Sequence, residues 1–398
     1  MKWIGLASLL CVFSSSHALA KQKDLAFVPF FFQTESLGKS FGVAGVAKGV
    51  GQPQTALFGM GLYTDKDSYV GFLSAFNYAL SDSVTSSVQL YQGQLNQTKY
   101  YVGDQGNNDS SLDDFTFTDG AENRYKLEFR FFLPWGEIAQ QGLKGAFIPQ
   151  REVHRASPLE SGISSIYVKP FYSSRTLESD GVRSEASGVE LVADWDNRDS
   201  NSRPTRGSHS SFTTTVGADN WSNDDKWVKL EAETSHYVSL GELGEWFDQQ
   251  VIALNVYTAD TPTWQDCSAG QRESRCGRPA EHEQVRLGGL YRLRSYSGSR
   301  FHGRSAVHYA AEYRVIPDWQ PLGEIPVINY YDLPWWQWVV FAEAGRVADS
   351  YNLKELHTDM KWSLGGAIRF QVEGIVVRTE IAQSEDDRAF RVMINQPF

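Results

Sequence analysis

The feature that most constrains this chain is a hydrophobic period of two. Val307, Tyr309, Ala311, Tyr313 and Val315 share one parity, and His308, Glu312 and Arg314 take the other. Val377, Thr379 and Ile381 likewise oppose Arg378 and Glu380. Near the end, Phe390, Val392, Ile394 and Phe398 share a parity broken only by Gln396, while Arg391 and Asn395 fall on the other. Neighbouring side chains of a strand point to opposite faces, so these segments read as β-strands with one apolar and one ionisable face. Two all-β architectures satisfy that pattern: a soluble sandwich with its polar face in water, and a transmembrane antiparallel β-barrel with its polar face in the lumen.

Three features favour the barrel. The alternating final strand closes on an aromatic residue, Phe398. Short turns at 81–83 and 372–374 contrast with a long polar stretch at 103–120, the asymmetry of periplasmic turns and outer loops. Trp335, Trp336 and Trp338 cluster at a strand end, where an interfacial girdle would lie. Composition agrees: the chain has 12 Trp, 18 Tyr, 23 Phe and 34 Gly but four Met, which suits strands better than packed helices. Beyond the first twenty positions no apolar run approaches the roughly 20 residues of a membrane helix. Sixteen strands are expected, starting near residues 25, 41, 54, 68, 84, 122, 164, 186, 208, 227, 247, 304, 336, 360, 374 and 389. An even count returns both ends to the periplasmic side. The stretch 134–162 then falls on that side and is long for a turn, so it either holds a short helix or marks an error of register.

Residues 1–20 read as a secretory signal peptide: Lys2, an apolar core over 4–13 and the A-x-A site Ala18-Leu19-Ala20. Cys11 lies inside that core and is discarded with it. Residues 21–398 are expected to form one outer-membrane barrel domain, since 21–24 are too few to make a domain ahead of the first strand. Cys267 and Cys276, alone in a polar stretch of an exported chain, are expected to form a disulfide. Two thiols without adjacent histidines do not complete a metal set, so no metal is expected. A net charge of -11 argues against a nucleic-acid partner.

Two stretches resemble a known family. Leu287-Gly288-Gly289, then Leu293-Arg294-Ser295-Tyr296, then a strand carrying Glu312-Tyr313-Arg314, resemble the sixth extracellular loop and twelfth strand of the BamA/TamA and two-partner-secretion transporters, the bacterial surface antigen superfamily. Asp194-Trp195-Asp196-Asn197-Arg198-Asp199 followed by Pro204-Thr205-Arg206-Gly207 resembles its hairpin motif, here Asp196, Arg198, Pro204 and Gly207. Gln396-Pro397-Phe398 is similar to its terminal strand, whose signal would be Phe390 and Phe398. The resemblance is to the barrel alone, without periplasmic POTRA domains.

The resemblance implies that the long loop folds into the lumen with Gly288, Gly289, Leu293, Arg294 and Tyr296 as its motif. It also implies an acid that holds the arginine, in a phenylalanine-x-aspartate-x-glycine pattern. Phe341-Ala342-Glu343-Ala344-Gly345 matches, so Arg294 would pair with Glu343. The planar guanidinium fits a carboxylate, and parity places Glu343 on the wet face. Read without the family, Arg294 is one solvated arginine among Arg272, Arg275, Arg286 and Arg292. Two departures stand out: Ser295 replaces the usual glycine, which reaches left-handed backbone more cheaply, and Glu343 is one methylene longer than the usual aspartate.

The implied function is assistance to protein or lipid passage into or across the outer membrane through a loop-gated lumen, with no cofactor and no enzymatic step. Its partners would be outer-membrane lipid and a periplasmic or secreted protein client, with a homodimer through the lipid-facing wall left open. A passive solute channel is the alternative, and a lipolytic barrel using His209 or His308 is a third reading. Walker, dinucleotide and H-E-x-x-H motifs are missing from the sequence. The acids Asp194, Asp196 and Asp199 read as hairpin chemistry, with Asp199 and Asn201 as turn formers.

Overall fold

The computed structural model describes residues 25–34, 38–179, 181, 183–218, 226–267, 276–324, 333–372 and 375–398. The proposed signal peptide with Cys11, residues 373–374 of the expected turn, and Arg272 and Arg275 lie outside the described residues.

Eighteen strands are present among the described residues. The first nine are β1 (Leu25–Thr34), β2 (Gly38–Lys48), β3 (Ala56–Thr64), β4 (Tyr69–Ser81), β5 (Val84–Tyr100), β6 (Thr116–Phe132), β7 (Ile163–Leu177), β8 (Arg183–Asp196) and β9 (Gly207–Ala218). The others are β10 (Lys226–Leu243), β11 (Phe247–Asp260), β12 (Val285–Leu287), β13 (Phe301–Gly303), β14 (Ser305–Pro317), β15 (Trp336–Ala348), β16 (Lys361–Val372), β17 (Ile375–Gln383) and β18 (Arg388–Ile394). Sixteen of them form one antiparallel sheet in chain order, β1 to β11 and then β14 to β18, and β12 and β13 make a separate hairpin. β1 and β18 lie beside one another. All sixteen expected strands are found. The largest displacement is in β6, expected near 122 and beginning at Thr116.

Burial follows parity. On β14, Tyr309 and Ala311 are exposed while His308, Glu312 and Arg314 are buried. On β17, Ile381 is exposed while Arg378 and Glu380 are buried. Apolar side chains outside and charges inside reverse the order of a soluble sandwich, and fit a wall bathed in hydrocarbon around a polar lumen.

The 134–162 connection does contain a short helix, α1 (Glu137–Gln141), followed by a 3-10 turn at Gly142–Phe147. Phe132, Ile138, Ala146 and Ile163 pack together there, with Leu143 and Phe147 against them. The segment also clasps the next hairpin: Arg151 N–H donates to the Asp199 carbonyl at 2.7 Å, and Trp195 Nε1 donates to the Ser161 carbonyl at 3.0 Å.

One expectation of parity fails. Phe390 stands opposite the exposed Ile381 and keeps the outer face, but β18 ends at Ile394. Asn395 has a φ of 71°, a left-handed residue that breaks the alternation. Phe398 consequently turns inward and packs against Tyr237, Val251 and Ala253 rather than lipid. Gln396 accepts from Arg369 Nη1 at 2.6 Å and donates to the Ser202 carbonyl at 2.9 Å. Trp335 also departs from the expected girdle: it is buried and donates to Gln371 Oε1, while Trp336 and Trp338 share the parity of the exposed Val340.

Candidate functional site: a buried charge cluster at the inward loop

The connection between β11 and β14 enters the barrel. Its base is the β12–β13 hairpin, and its tip is wound by Gly288 and Gly289 at φ of 93° and 116°. A Cβ on Gly288 would sit 2.6 Å from the Ser297 carbonyl oxygen, so only glycine fits. Gly289 N–H donates to the Tyr296 carbonyl at 3.1 Å and closes the turn. The left-handed residue here is Leu293, with φ of 48°; Ser295 does not need that conformation, so the serine in place of glycine is tolerated. Ser295 N–H donates to Ser363 Oγ at 3.0 Å.

Leu293 and Tyr296 face one way, into an apolar cluster with Val285, Leu287, Phe301, Tyr257, Ala259, Ala306 and Val347. Arg294 lies between them in sequence and is fully buried. Its Nε donates to Glu343 Oε1 at 2.9 Å, and its backbone N–H donates to Glu343 Oε2 at 2.7 Å. Its Nη1 reaches Glu380 Oε1 at 3.0 Å, its Nη2 lies 2.8 Å from Glu312 Oε1, and the guanidinium stacks 3.5 Å from the centre of the Phe341 ring.

The expected pair is therefore part of a network drawn from five strands, β14 to β18. Arg369 holds both oxygens of Glu312 at 2.8 and 2.9 Å, Arg314 Nε adds a contact at 2.8 Å, and Arg378 Nη1 meets Glu380 at 3.0 Å. Arg378 also donates to the Leu290 carbonyl at 2.7 Å, and Arg391 donates to the carbonyls of Arg294 and Tyr296. Alternation places Glu312, Arg314, Arg378, Glu380 and Arg391 on the wet face. What it does not give is the register that levels them: Ala310 opposite Glu343, Arg369 opposite Arg378, Glu380 opposite Arg391. Charges taken from water cost several kcal/mol each unless paired; Glu312 and Glu380 each meet three arginines, while Arg314 and Arg378 each meet one glutamate.

His308 joins this cluster. Its Nε2 accepts the Leu293 N–H at 3.4 Å and lies 3.7 Å from Glu343 Oε1. His209 Nε2 meets Asp194 Oδ2 at 2.7 Å on another wall.

The hairpin motif is brought together at the periplasmic end. Asp196 accepts from the Arg198 backbone, from Arg198 Nε at 2.8 Å and Nη2 at 3.0 Å, and from Arg151 Nη2 at 3.2 Å. Asp199 accepts from Thr205 N at 2.8 Å and Arg206 N at 3.2 Å, across the turn that holds the buried Pro204. Gly207, at φ of 95°, passes so close to Asn197 that a Cβ would lie 1.9 Å from its carbonyl oxygen. Arg151 is the participant that sequence reading did not supply, since it comes from the 134–162 segment.

At the outer mouth the loop is tied to the opposite wall. Glu283 pairs with Arg124 at 2.7 Å and accepts from Ser173 Oγ at 2.8 Å, and Glu281 pairs with Arg175. Burial pushes the Glu283 carboxyl up, but Arg124 and then Lys229 outweigh it and hold it down at about 2. Burial dominates at His282 and lowers it to about 4. Cys267 and Cys276 are joined by the expected disulfide, with Cα atoms 5.4 Å apart. Beneath the loop a cavity of about 540 Å³ runs along the other wall, lined by Arg130, Lys169, Glu190, Asp194, Glu231 and Glu233 among others.

Fold and site together define a bacterial outer-membrane β-barrel whose lumen is entered by its own extracellular loop. The Omp85 superfamily domain matches residues 50–382, and the chain belongs to the Omp85 superfamily. Among solved structures it is similar to BamA from Haemophilus ducreyi lacking POTRA domains 1-3, with a TM-score of 0.53, 12% identity, and coverage of 98% of this chain and 75% of that one. It is also similar to CdiB from Acinetobacter baumannii, at TM-score 0.54, 12% identity and coverage of 98% and 65%. CdiB from Escherichia coli matches at TM-score 0.55, 9% identity and coverage of 98% and 66%. The chain thus spans about two thirds of the length of each CdiB. At these identities the likeness is one of fold. No curated protein matches the sequence.

Proposed function

We propose that this barrel assists the passage of a protein client into or across the outer membrane, without an enzymatic step, through a lumen gated by the loop that carries Arg294. Residues 1–20 serve as its export signal and 21–398 as its barrel domain. The observation that supports this reading is the burial of Arg294 among Glu312, Glu343 and Glu380, which ties a loop from the outer face to the wall deep in the lumen. In this reading Gly288, Gly289, Leu293 and Tyr296 shape the loop tip, Glu343 is its principal acid, and Asp196, Arg198, Pro204 and Gly207 brace the periplasmic hairpin. A loop so tied works as a gate because cutting a buried pair on one side costs roughly 3–5 kcal/mol, which a client must supply or bypass.

Planar-bilayer recording tests this. The native barrel should show low or fluctuating conductance, and Arg294→Ala should raise it. A steady open conductance in the native protein, unchanged in Arg294→Ala, sinks the gate and leaves a passive solute channel.

A further inference from the structure

Arg314, on β14, is 1% exposed, and both of its terminal nitrogens, Nη1 and Nη2, lack a hydrogen-bond partner among the described residues. Its Nε alone is engaged, donating to Glu312 Oε2 at 2.8 Å. The rest of its surroundings are aromatic. The centre of the Tyr237 ring lies 5.3 Å from the guanidinium and that of the Phe398 ring 5.1 Å. Register seats these groups together. Val251 stands opposite Arg314, Ala253 stands opposite Tyr237, and Phe398 packs on Tyr237, Val251 and Ala253. The Tyr237 hydroxyl is also buried without a hydrogen-bond partner, and Arg198 acts on it from the periplasmic hairpin.

The Phe398 ring stands between this guanidinium and open space. A cavity of about 470 Å³ at the periplasmic end of the lumen is lined by Phe398, Pro397, Val376, Ser235 and His209 among others, and Arg314 is not on its wall. Glu233 is on that wall but is taken up by Arg292 at 2.7 Å. Behind the ring the charges do not balance. Arg294, Arg314, Arg369 and Arg378 face Glu312, Glu343 and Glu380, all of them at most 3% exposed, which leaves one positive charge over. At the edge of the cluster Asp387 answers Arg391, and His308 accepts the Leu293 N–H and so is neutral there. Of the four arginines, Arg314 is the one with both ends of its fork free. A buried cation in excess, with a planar pair of donors unused, suits a single carboxylate.

We propose that Arg314 is the binding site for a compact aryl carboxylate, with Phe398 as its lid. Nη1 and Nη2 donate to the two carboxylate oxygens, and the Tyr237 hydroxyl donates to one of them. The aryl ring takes the place of the Phe398 ring against Tyr237, Val251 and Ala253. The lid can leave without opening a strand. β18 ends at Ile394, Asn395 turns the chain inward, and Gln396 is held by Arg369 and the Ser202 carbonyl. Phe398 lies beyond those ties, with the 470 Å³ cavity beside it to swing into. A dianionic phosphate exceeds the one unmatched charge and is disfavoured, and an ion without a ring leaves the aromatic wall unfilled.

The test is isothermal titration calorimetry of the purified full chain in detergent with phenylacetate and its uncharged isostere phenylacetamide. The native chain should bind the acid at one site and roughly ten-fold more tightly than the amide, the size of one charge-assisted hydrogen bond; this comparison needs no variant. Arg314→Lys keeps the charge beside Glu312 but not the fork, and should bind the acid about ten-fold more weakly than the native chain. Phe398→Ala, checked for folding by heat-dependent gel mobility, should bind the acid several-fold more tightly, because no lid has to be displaced, and should keep the preference over the amide. Equal affinity of the native chain for acid and amide overturns the proposal, as does an Arg314→Lys affinity equal to the native one. A gain in Phe398→Ala shared equally by the amide marks a mere hydrophobic hole and overturns it too. Acetate that competes with phenylacetate mole for mole overturns it in favour of an adventitious ion only.

Discussion

Glu343 meets Arg294 twice, through the side-chain Nε at 2.9 Å and the backbone N–H at 2.7 Å. The carboxylate therefore fixes where the loop's main chain lies as well as where its charge points. Charge-assisted bonds of this kind are about twice as strong as neutral ones. Arg294→Ala should lower stability by roughly 3–5 kcal/mol, because three buried glutamates lose a shared partner. Arg294→Lys should lose less, about half of that, since an ammonium keeps the charge but not the fork that reaches Glu312, Glu343 and Glu380 together. Urea unfolding in lipid vesicles followed by tryptophan fluorescence would measure both; equal losses would remove the role given to the fork.

Gly288→Ala and Gly207→Ala should each cost about 1–3 kcal/mol, because both glycines combine a left-handed φ with a carbonyl oxygen where the methyl would go. Their functional readouts should separate. Gly288→Ala displaces the loop tip and should raise conductance, whereas Gly207→Ala strains the periplasmic hairpin and should leave conductance near native. Refolding midpoints and bilayer recordings on the same two preparations check this.

Acid should loosen the outer mouth in two stages. His282 is held below its usual value, so the stability it lends is complete above pH 6.5 and is lost as pH falls through about 4. Glu283 is also depressed, so its contribution is complete above pH 4.5 and fades as pH falls toward about 2. Proteolytic nicking of the loop, followed against pH, should rise over both windows. His282→Gln should abolish the upper stage and Glu283→Gln the lower one, and a profile unchanged by either variant would refute the assignment.

Phe398→Ala should destabilise the barrel by about 2 kcal/mol, less than a fully buried phenylalanine because this ring is only partly covered. A cysteine at 398 should react slowly with a membrane-impermeant maleimide in the native background and faster once Asn395→Pro forbids the left-handed turn. Equal rates would place the last residues outside the lumen.

The wall is legible because one period governs it: the middle of β14 and the whole of β17 alternate in burial as they do in sequence, and the sixteen starts follow. The inner charge cluster was half legible. Parity identifies Glu312, Glu343, Glu380, Arg314 and Arg378 as wet, but which of them meet depends on strand stagger, and stagger is carried by pairing between distant segments rather than by any local pattern. Phe398 departs from its parity because a single left-handed residue, Asn395, ends the period before it. Arg151 was invisible for another reason: its partner Asp196 lies forty-five residues on, across a connection with no repeating pattern to follow.

The inward loop and its arginines crowd against β14 to β18, and a cavity of about 540 Å³ lies off axis along β6 to β11. A solute threading this cavity would travel beside that flank, past the alternating signs of Lys126, Glu190, Lys169 and Glu128, rather than down the centre of a symmetric ring. The six staves from β6 to β11 would then set the charge that such a solute meets, while β14, β15 and β17 hold the loop that admits it.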